Sequence, residues 1–361
     1  MLLFAHNPDY YNTATLPYYW EFVDTGSPSG TAGVRADGYL GRPALTSTGG
    51  HSYVIHWPHW PPITDPGGKR EWRMGGRFRF ESYPASPTMI MAANGWDGGF
   101  ECQLVLNPDG TLSIYRGDLT EEIAGPSTAV LALDTTYKLG FKGYAARVGG
   151  KAEAYWNVGA LPVRVLSVQG NTASDGDHPV TWDACTYGLV EDSAVNHVYA
   201  IDSYGFLNNL YPSLITKVLY PASNGSAIEW VPNTGTVPAA LDDTVPDMDT
   251  TRIHADVDNA AYTVAVDTLP TTYGIIAVQQ TALVKNLETE LASFRFLVEQ
   301  DGAFFDGVVE GQVPYASVYD WFVATSDYHV KRRLDHGMPK NGYGWVTADV
   351  NAARFGGRLV V

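Results

Sequence analysis

Residues 100–118 read FECQLVLNPDGTLSIYRGD, and the pattern of this stretch sets the fold class. Cys102, Leu104 and Leu106 alternate with Gln103, Val105 and Asn107. A period of two is that of a strand, whose successive side chains point to opposite faces. Beyond Pro108-Asp109-Gly110, the residues Leu112, Ile114 and Tyr115 are again β-formers. Proline presets one backbone angle, aspartate tolerates turn conformations, and glycine accepts a positive φ without steric cost. The stretch therefore predicts a β-hairpin with Gly110 in the turn at positive φ. A lone hairpin is only marginally stable in water, so the rest of the chain has to supply neighbouring strands.

It does so in both directions. Upstream, residues 51–57 (HSYVIHW) alternate, and residues 72–83 (WRMGGRFRFESY) read as an antiparallel strand buried on one side. Residues 88–92 form a short apolar run. Downstream, residues 137–144, 152–156, 163–168 and 197–202 continue the series, with turn residues at short intervals. No helical period is sustained before residue 207, which is the pattern of an antiparallel sandwich. Asn208-Asn209 marks a boundary, giving domains 1–207 and 208–361. Past it, residues 214–220 read as a strand, SNGSA (223–227) as a polar turn, and residues 262–266, 275–281, 293–299 and 318–324 as further strands. Thr347 is placed to cap a short helix that Gly356-Gly357 ends, with a last strand to Val361.

A chain of 361 residues exceeds what one compact core usually covers, in keeping with two domains. Its 45% hydrophobic and 17% charged residues are enough for a buried core and exclude disorder. The formal net charge of −16 opposes nucleic acid, anionic membranes and acidic substrates as partners. No apolar run is long enough to span a bilayer, and MLLFAHNPDYY lacks the basic start of a signal peptide, so synthesis in a cytoplasm is expected. Two cysteines are too few for a disulfide scaffold. Cys102 reads as a small buried hydrophobe, and its pairing with Cys185 stays open.

Chemistry was sought in three residue classes. Sandwich folds host glycanases, whose retaining members need two carboxyl groups about 5 Å apart. No E-x-D-x-E string is present; Glu288 and Glu290 have the spacing without a flanking aromatic strand, and the adjacent Glu121 and Glu122 point apart. His51, His56 and His59 would suit a metal by type, but strand alternation sets His51 and His56 on opposite faces. Asp242, Asp243, Asp247, Asp249, Asp256 and Asp258 crowd one region without EF-hand spacing, so a solvated acidic loop is expected, with calcium the alternative. No metal site and no cofactor are expected. Tyr53, Trp57 and Trp60 beside the WPHWPP loop are the candidate contact surface, because stiffly held aromatics anchor interfaces and stack on sugars.

The opening MLLF with its Tyr/Trp segment, the strand WRMGGRFRFES and the hairpin LVLNPDGTLSIYRG resemble a family of tailed-bacteriophage virion structural proteins. So do HVYAIDSYGFLNN, ITKVLYPASNGSAIEWVPNTG and the C-terminal WVTADVNAARFGGRLVV. The WPHWPP and DDTVPDMDTTR loops lie outside the resemblance. It implies an all-β chain: an antiparallel laminin-G/concanavalin-like jelly-roll sandwich over 1–207, then a smaller β-rich sandwich domain for virion assembly over 208–361. It implies a non-enzymatic component of the virion, on head or tail, that binds other virion proteins (capsid or tail subunits), and it carries over no catalytic residues. Closed symmetry is usual for such copies, so a homo-oligomer is expected, with a trimer the arrangement favoured. The alternative is a lectin or adhesin on the virion that binds a host surface glycan.

Overall fold

The computed structural model describes residues 2–6, 22–23, 31–37, 43–56, 71–95, 99–119, 121–157, 162–174, 184–202, 217–242, 250–270, 274–275, 277–284, 292–306, 321–322, 329–335, 338 and 341–360. The chain is almost entirely β-structure and divides into two compact units, residues 1–217 and 218–361. The expected boundary at 207/208 falls within residues 203–216, outside the described residues.

The first unit contains β1 (Leu2–His6), β2 (Phe22–Val23), β3 (Thr31–Arg35), β4 (Ala44–Thr48), β5 (Ser52–His56), β6 (Trp72–Arg79), β7 (Thr88–Asn94) and β8 (Phe100–Leu106). It continues with β9 (Leu112–Arg116), β10 (Glu121–Ala124), β11 (Tyr137–Tyr144), β12 (Gly150–Asn157), β13 (Val163–Gly170), β14 (Ala184–Leu189) and β15 (Ala194–Asp202). These build two antiparallel sheets. Sheet A has the order β13-β12-β11-β6-β15-β4-β3, with β1 also pairing β15; sheet B has the order β10-β9-β8-β7-β14-β5-β2.

The hairpin of residues 100–118 is β8 and β9, paired from Cys102 opposite Arg116 to Leu106 opposite Leu112. Gly110 sits in its turn with φ +78°. Asp109 holds the turn by accepting from the Thr111 amide at 3.0 Å and the Thr111 hydroxyl at 2.6 Å. The core between the sheets is lined by Trp72, Met74, Phe78 and Phe141 from sheet A and by Leu104, Leu112, Ile114 and Tyr187 from sheet B, all fully buried. Strand β6 is the axis of sheet A, with β11 on one side and β15 on the other. The sequence predicts that β6 is buried on one side only. Instead Arg73 and Arg77, which alternate with the core residues, are also buried, because a strand central in a wide sheet is flanked by side chains on both faces.

The two thiols are free and buried. Cys102 pairs with Ala93 on one side of β7 and Cys185 pairs with Ala93 on the other. Two strand spacings separate them, roughly 9–10 Å. A disulfide needs Cα atoms within about 7 Å, so the register rules out the bond left open by the sequence.

The second unit contains β16 (Pro221–Ile228), β17 (Val231–Pro232), β18 (Ile253–His254), β19 (Ala261–Val266), β20 (Val278–Val284), β21 (Ala292–Gln300) and β22 (Ala303–Phe305). It ends with β23 (Trp321–Phe322), β24 (His329–Asp335), helix α1 (Thr347–Ala352) and β25 (Arg354–Val360). Its main sheet has the order β16-β19-β25-β21-β22, with β23 also on β21; β17–β18 and β20–β24 form two-stranded sheets. One apolar cluster joins Val298, Trp345, Val350 and Phe355, and a second joins Val237, Tyr262, Phe294 and Phe296.

Three local expectations are corrected here. SNGSA is not a turn but the middle of edge strand β16, irregularly paired to β19. Its polar backbone is held from within: the Ser226 amide donates to Glu299 at 3.2 Å and the Ala227 amide to the Thr263 hydroxyl at 3.3 Å. Helix α1 is capped by Asp349, whose carboxylate accepts from the Val346 amide at 3.1 Å, while Thr347 lies inside the first turn. Gly356 and Gly357 do not end the helix; they lie within β25. A Cβ on Gly356 would come 1.8 Å from the Tyr262 carbonyl oxygen, so the glycine is required by close strand packing rather than by a stop.

Candidate functional site

Strand β5 aligns Val54 with Tyr187 and Tyr53 with Gly188. Val54 is fully buried in the core, so the period of two turns Tyr53 to the outer face of sheet B. There its ring meets Phe100 edge-on, with centroids 6.4 Å apart and planes at 83°. The floor beside this pair is polar. Thr186 donates to the Asn94 side-chain oxygen at 2.7 Å, and Glu101 accepts from the Ser174 amide at 2.7 Å. Asn94, Glu101, Gln103 and Thr186 are all buried. Two half-buried aromatic rings thus stand on a strand face that also carries buried, hydrogen-bonded polar side chains. Of the three expected contact residues, Tyr53 is placed on this face; Trp57 and Trp60 lie outside the described residues, on the segment that leaves the end of β5.

The acids singled out by the sequence are scattered. Glu121 accepts from Arg116 Nε at 2.6 Å, while Glu122 accepts from the Ser113 hydroxyl at 3.1 Å and the Tyr115 hydroxyl at 3.3 Å. Glu288 and Glu290 lie outside the described residues, as do Asp243, Asp247, Asp249 and His59; Asp242, Asp256 and Asp258 are exposed. Among the described residues, no group of three or more His, Cys, Asp or Glu side chains is placed to hold a metal ion. Among them too, no helix is long and apolar enough to cross a membrane.

A different constellation lies on sheet A, away from the core. Lys142, Glu153 and Ser167 align across β11, β12 and β13, and Tyr155 aligns with Arg164 one row on. Glu153 is 1% exposed. Its carboxylate accepts from Arg164 Nη1 at 2.8 Å and from the Tyr155 hydroxyl at 3.0 Å, with Lys151 Nζ at 3.1 Å and Lys142 Nζ at 3.2 Å. Lys142 Nζ also stands 5.2 Å over the Tyr155 ring. Burial works to raise the Glu153 pKa, but hydrogen bonds from Arg164, Lys151 and Lys142 outweigh it and hold the pKa at about 2. The sequence argument overlooked this cluster because its members come from three strands. The signal was nonetheless present: Lys138 and Lys142 alternate with Leu139 and Phe141, and Glu153 and Tyr155 with Ala152 and Ala154.

No protein family and no curated protein matches the sequence. Solved structures share the β-rich fold over part of the chain. Trypanosoma rangeli sialidase is 12% identical, with a TM-score of 0.32, over 49% of this chain and 29% of its own. Domain 4 of AbnA, a GH43 extracellular arabinanase from Geobacillus stearothermophilus, in complex with arabinotriose, is 13% identical, with a TM-score of 0.29, over 49% of this chain and 76% of its own. The GH43 protein BlXynB from Bacillus licheniformis is 9% identical, with a TM-score of 0.26, over 42% and 32%. The chain thus spans under a third of the length of the sialidase. These neighbours are sialidase and GH43 enzymes, and they overturn the sequence expectation that the chain is not an enzyme; the likeness itself is one of fold. That expectation rested on the virion resemblance and on finding no paired acids along a single strand, whereas antiparallel pairing also brings side chains together from neighbouring strands.

Proposed function

We propose that this protein is a structural component of a tailed-phage virion, on head or tail, and that it binds other virion subunits as a closed homo-oligomer. One observation supports the reading. Among the described residues, parts of the stretches that resemble virion proteins form paired strands in both units. LLF (2–4), HVYAID (197–202) and WRMGGRFR (72–79) lie far apart in sequence, yet they lie in β1, β15 and β6, consecutive hydrogen-bonded neighbours in sheet A. PASNGSAI and RFGGRLV (354–360) form β16 and β25, which flank β19 in the second unit. A likeness carried by frame positions reflects a shared way of building the domain, whereas loops vary. In this reading the Tyr53–Phe100 end of sheet B, with Trp57 and Trp60 beyond it, is the contact to a neighbouring subunit.

The test is whether the chain is in the particle. Purified virions are digested and analysed by mass spectrometry, and an antibody to residues 218–361 is used to label intact particles. The expected result is a stoichiometric, multiple-copy component at a fixed position. A chain abundant in infected cells but missing from purified particles would end the proposal.

A further inference from the structure

The cluster around Glu153 has more cation than its carboxylate needs. Lys142, Lys151 and Arg164 bring three positive charges to one buried negative charge, and among the described residues no second carboxylate is one of their partners. Their N–H groups outnumber the acceptor positions of one carboxylate, so several donors remain for another group. The three side chains are 32%, 42% and 56% exposed, so these donors reach solvent. Lys138 lies on the same face of β11, opposite Asn157. This local excess stands on a chain of net charge −16, where acids outnumber basic residues 39 to 23.

Long cationic side chains normally lose much rotamer freedom on binding. Here Glu153 already gathers them, and its own burial keeps it in place. Strand pairing sets the Tyr155 ring beside Arg164, half-buried and within the same row. Guanidinium and ammonium donors next to a tyrosine ring suit a carboxylate attached to a flat, partly apolar body. The face is buried at Arg73 and Arg77 of β6, whereas edge strand β13 exposes Arg164 and Ser167 on it, which leaves room there for a chain-like ligand. The net charge opposes a long polyanion such as nucleic acid, but it is screened beyond about 8–10 Å at moderate salt and does not oppose one carboxylate at contact distance.

We propose that the Lys142–Lys151–Arg164 cluster on sheet A binds the carboxylate of an acidic sugar in a polysaccharide, with Tyr155 lying against the sugar ring. This goes beyond the virion reading and uses a different sheet from the Tyr53 surface.

The folded full-length chain is titrated by calorimetry with oligogalacturonate, with the same oligosaccharide as its neutral methyl ester, and with inorganic phosphate. Binding of oligogalacturonate is expected, weakening as salt rises, with the ester at least about tenfold weaker. The double variant Lys151→Gln with Arg164→Gln leaves Lys142 to neutralise Glu153 and is expected to lose about tenfold or more in affinity. Should that variant melt early, Arg164→Gln alone, at the most exposed position, is expected to lose about threefold. Absence of binding, equal binding of the ester, or unchanged affinity in a folded variant overturns the proposal. Phosphate binding as tight as oligogalacturonate overturns the sugar assignment. The titration needs no particle, so its failure is separate from failure of the virion reading.

Discussion

The Tyr187 hydroxyl crosses the core of the first unit and donates a 2.6 Å hydrogen bond to the carbonyl of Tyr199, joining sheet B to sheet A. Both residues are buried, and Tyr199 follows the irregularity in β15 at Asn196–Tyr199, where His197 takes a φ of +51°. A bulge locally disrupts a ladder, and a bond from the opposite sheet fixes the strand where it resumes. Tyr187→Phe keeps the ring and removes the donor. The net loss of one such hydrogen bond costs about 0.5–1.5 kcal/mol. The expected outcome is a lower melting temperature for the first unit with its circular dichroism spectrum unchanged; an unaltered melting curve would mean that the bond adds nothing.

Gly110 is constrained twice. Its φ of +78° disfavours any side chain, and a Cβ there would stand 2.6 Å from the Tyr83 ring. Tyr83 cannot easily retreat, since its hydroxyl donates to the Leu131 carbonyl at 2.6 Å. Gly110→Val should therefore cost about 2 kcal/mol or more, from backbone strain and overpacking together. Pairing it with Tyr83→Ala should remove the steric part and leave the backbone part. Denaturant titration of the three variants separates the two: a double variant more stable than the sum of the singles is the expected sign.

These two cases show what was legible in the sequence. Turn chemistry at Pro108-Asp109-Gly110 and the alternation of β8 are local, so the hairpin could be read from nineteen consecutive residues. That Tyr83 packs on Gly110, or that Tyr187 reaches Tyr199, depends on pairing between distant strands and leaves no local mark. SNGSA misled for the same reason: its composition is that of a turn, and its pairing to β19 with side-chain support from Glu299 and Thr263 holds it as a strand. Of the candidate site, Tyr53 could be named from its strand, whereas the Glu153 cluster exists only once β11, β12 and β13 are laid side by side.

The thiols give a simple chemical check. Cys102 and Cys185 are buried, and burial pushes the Cys102 thiol well above its usual pKa. A thiol that stays protonated and inaccessible is inert. In the native protein a thiol reagent should label neither residue, and in denaturant it should label both without prior reduction. Labelling of neither after denaturation would reveal a disulfide and contradict the register at Ala93.

The contact proposed at the end of sheet B predicts a separable effect of the tryptophans. Trp57→Ala with Trp60→Ala removes two large aromatics from a segment carrying several prolines, and interface aromatics can each contribute about 2 kcal/mol or more. The variant chain should fold and melt as the parent does, yet be under-represented in purified particles. Wild-type copy number in particles would show that the anchor lies elsewhere. Normal incorporation with loss of cell attachment would transfer the segment to glycan recognition.

Glu153 makes the acid stability of the first unit predictable in sign. Its folded pKa of about 2 lies below the ordinary value of 4.5, so the folded state holds the charged form more strongly than the unfolded chain does. That contribution is fully present above about pH 4.5, fades as the unfolded chain begins to take up the proton, and is gone once pH passes below 2. Stability should therefore fall on acidification through this window, by about 1–2 kcal/mol after allowance for the partly exposed cations. Glu153→Gln retains the shape but leaves Lys142, Lys151 and Arg164 repelling one another, so it should be less stable than the parent at pH 7. Its own pH dependence between 4.5 and 2 should be shallower, and the two stability curves should converge towards pH 2. Melting temperatures of both proteins measured across this range decide the matter; parallel curves would show that Glu153 carries no proton-linked stability and that the three cations do not hold it as a carboxylate.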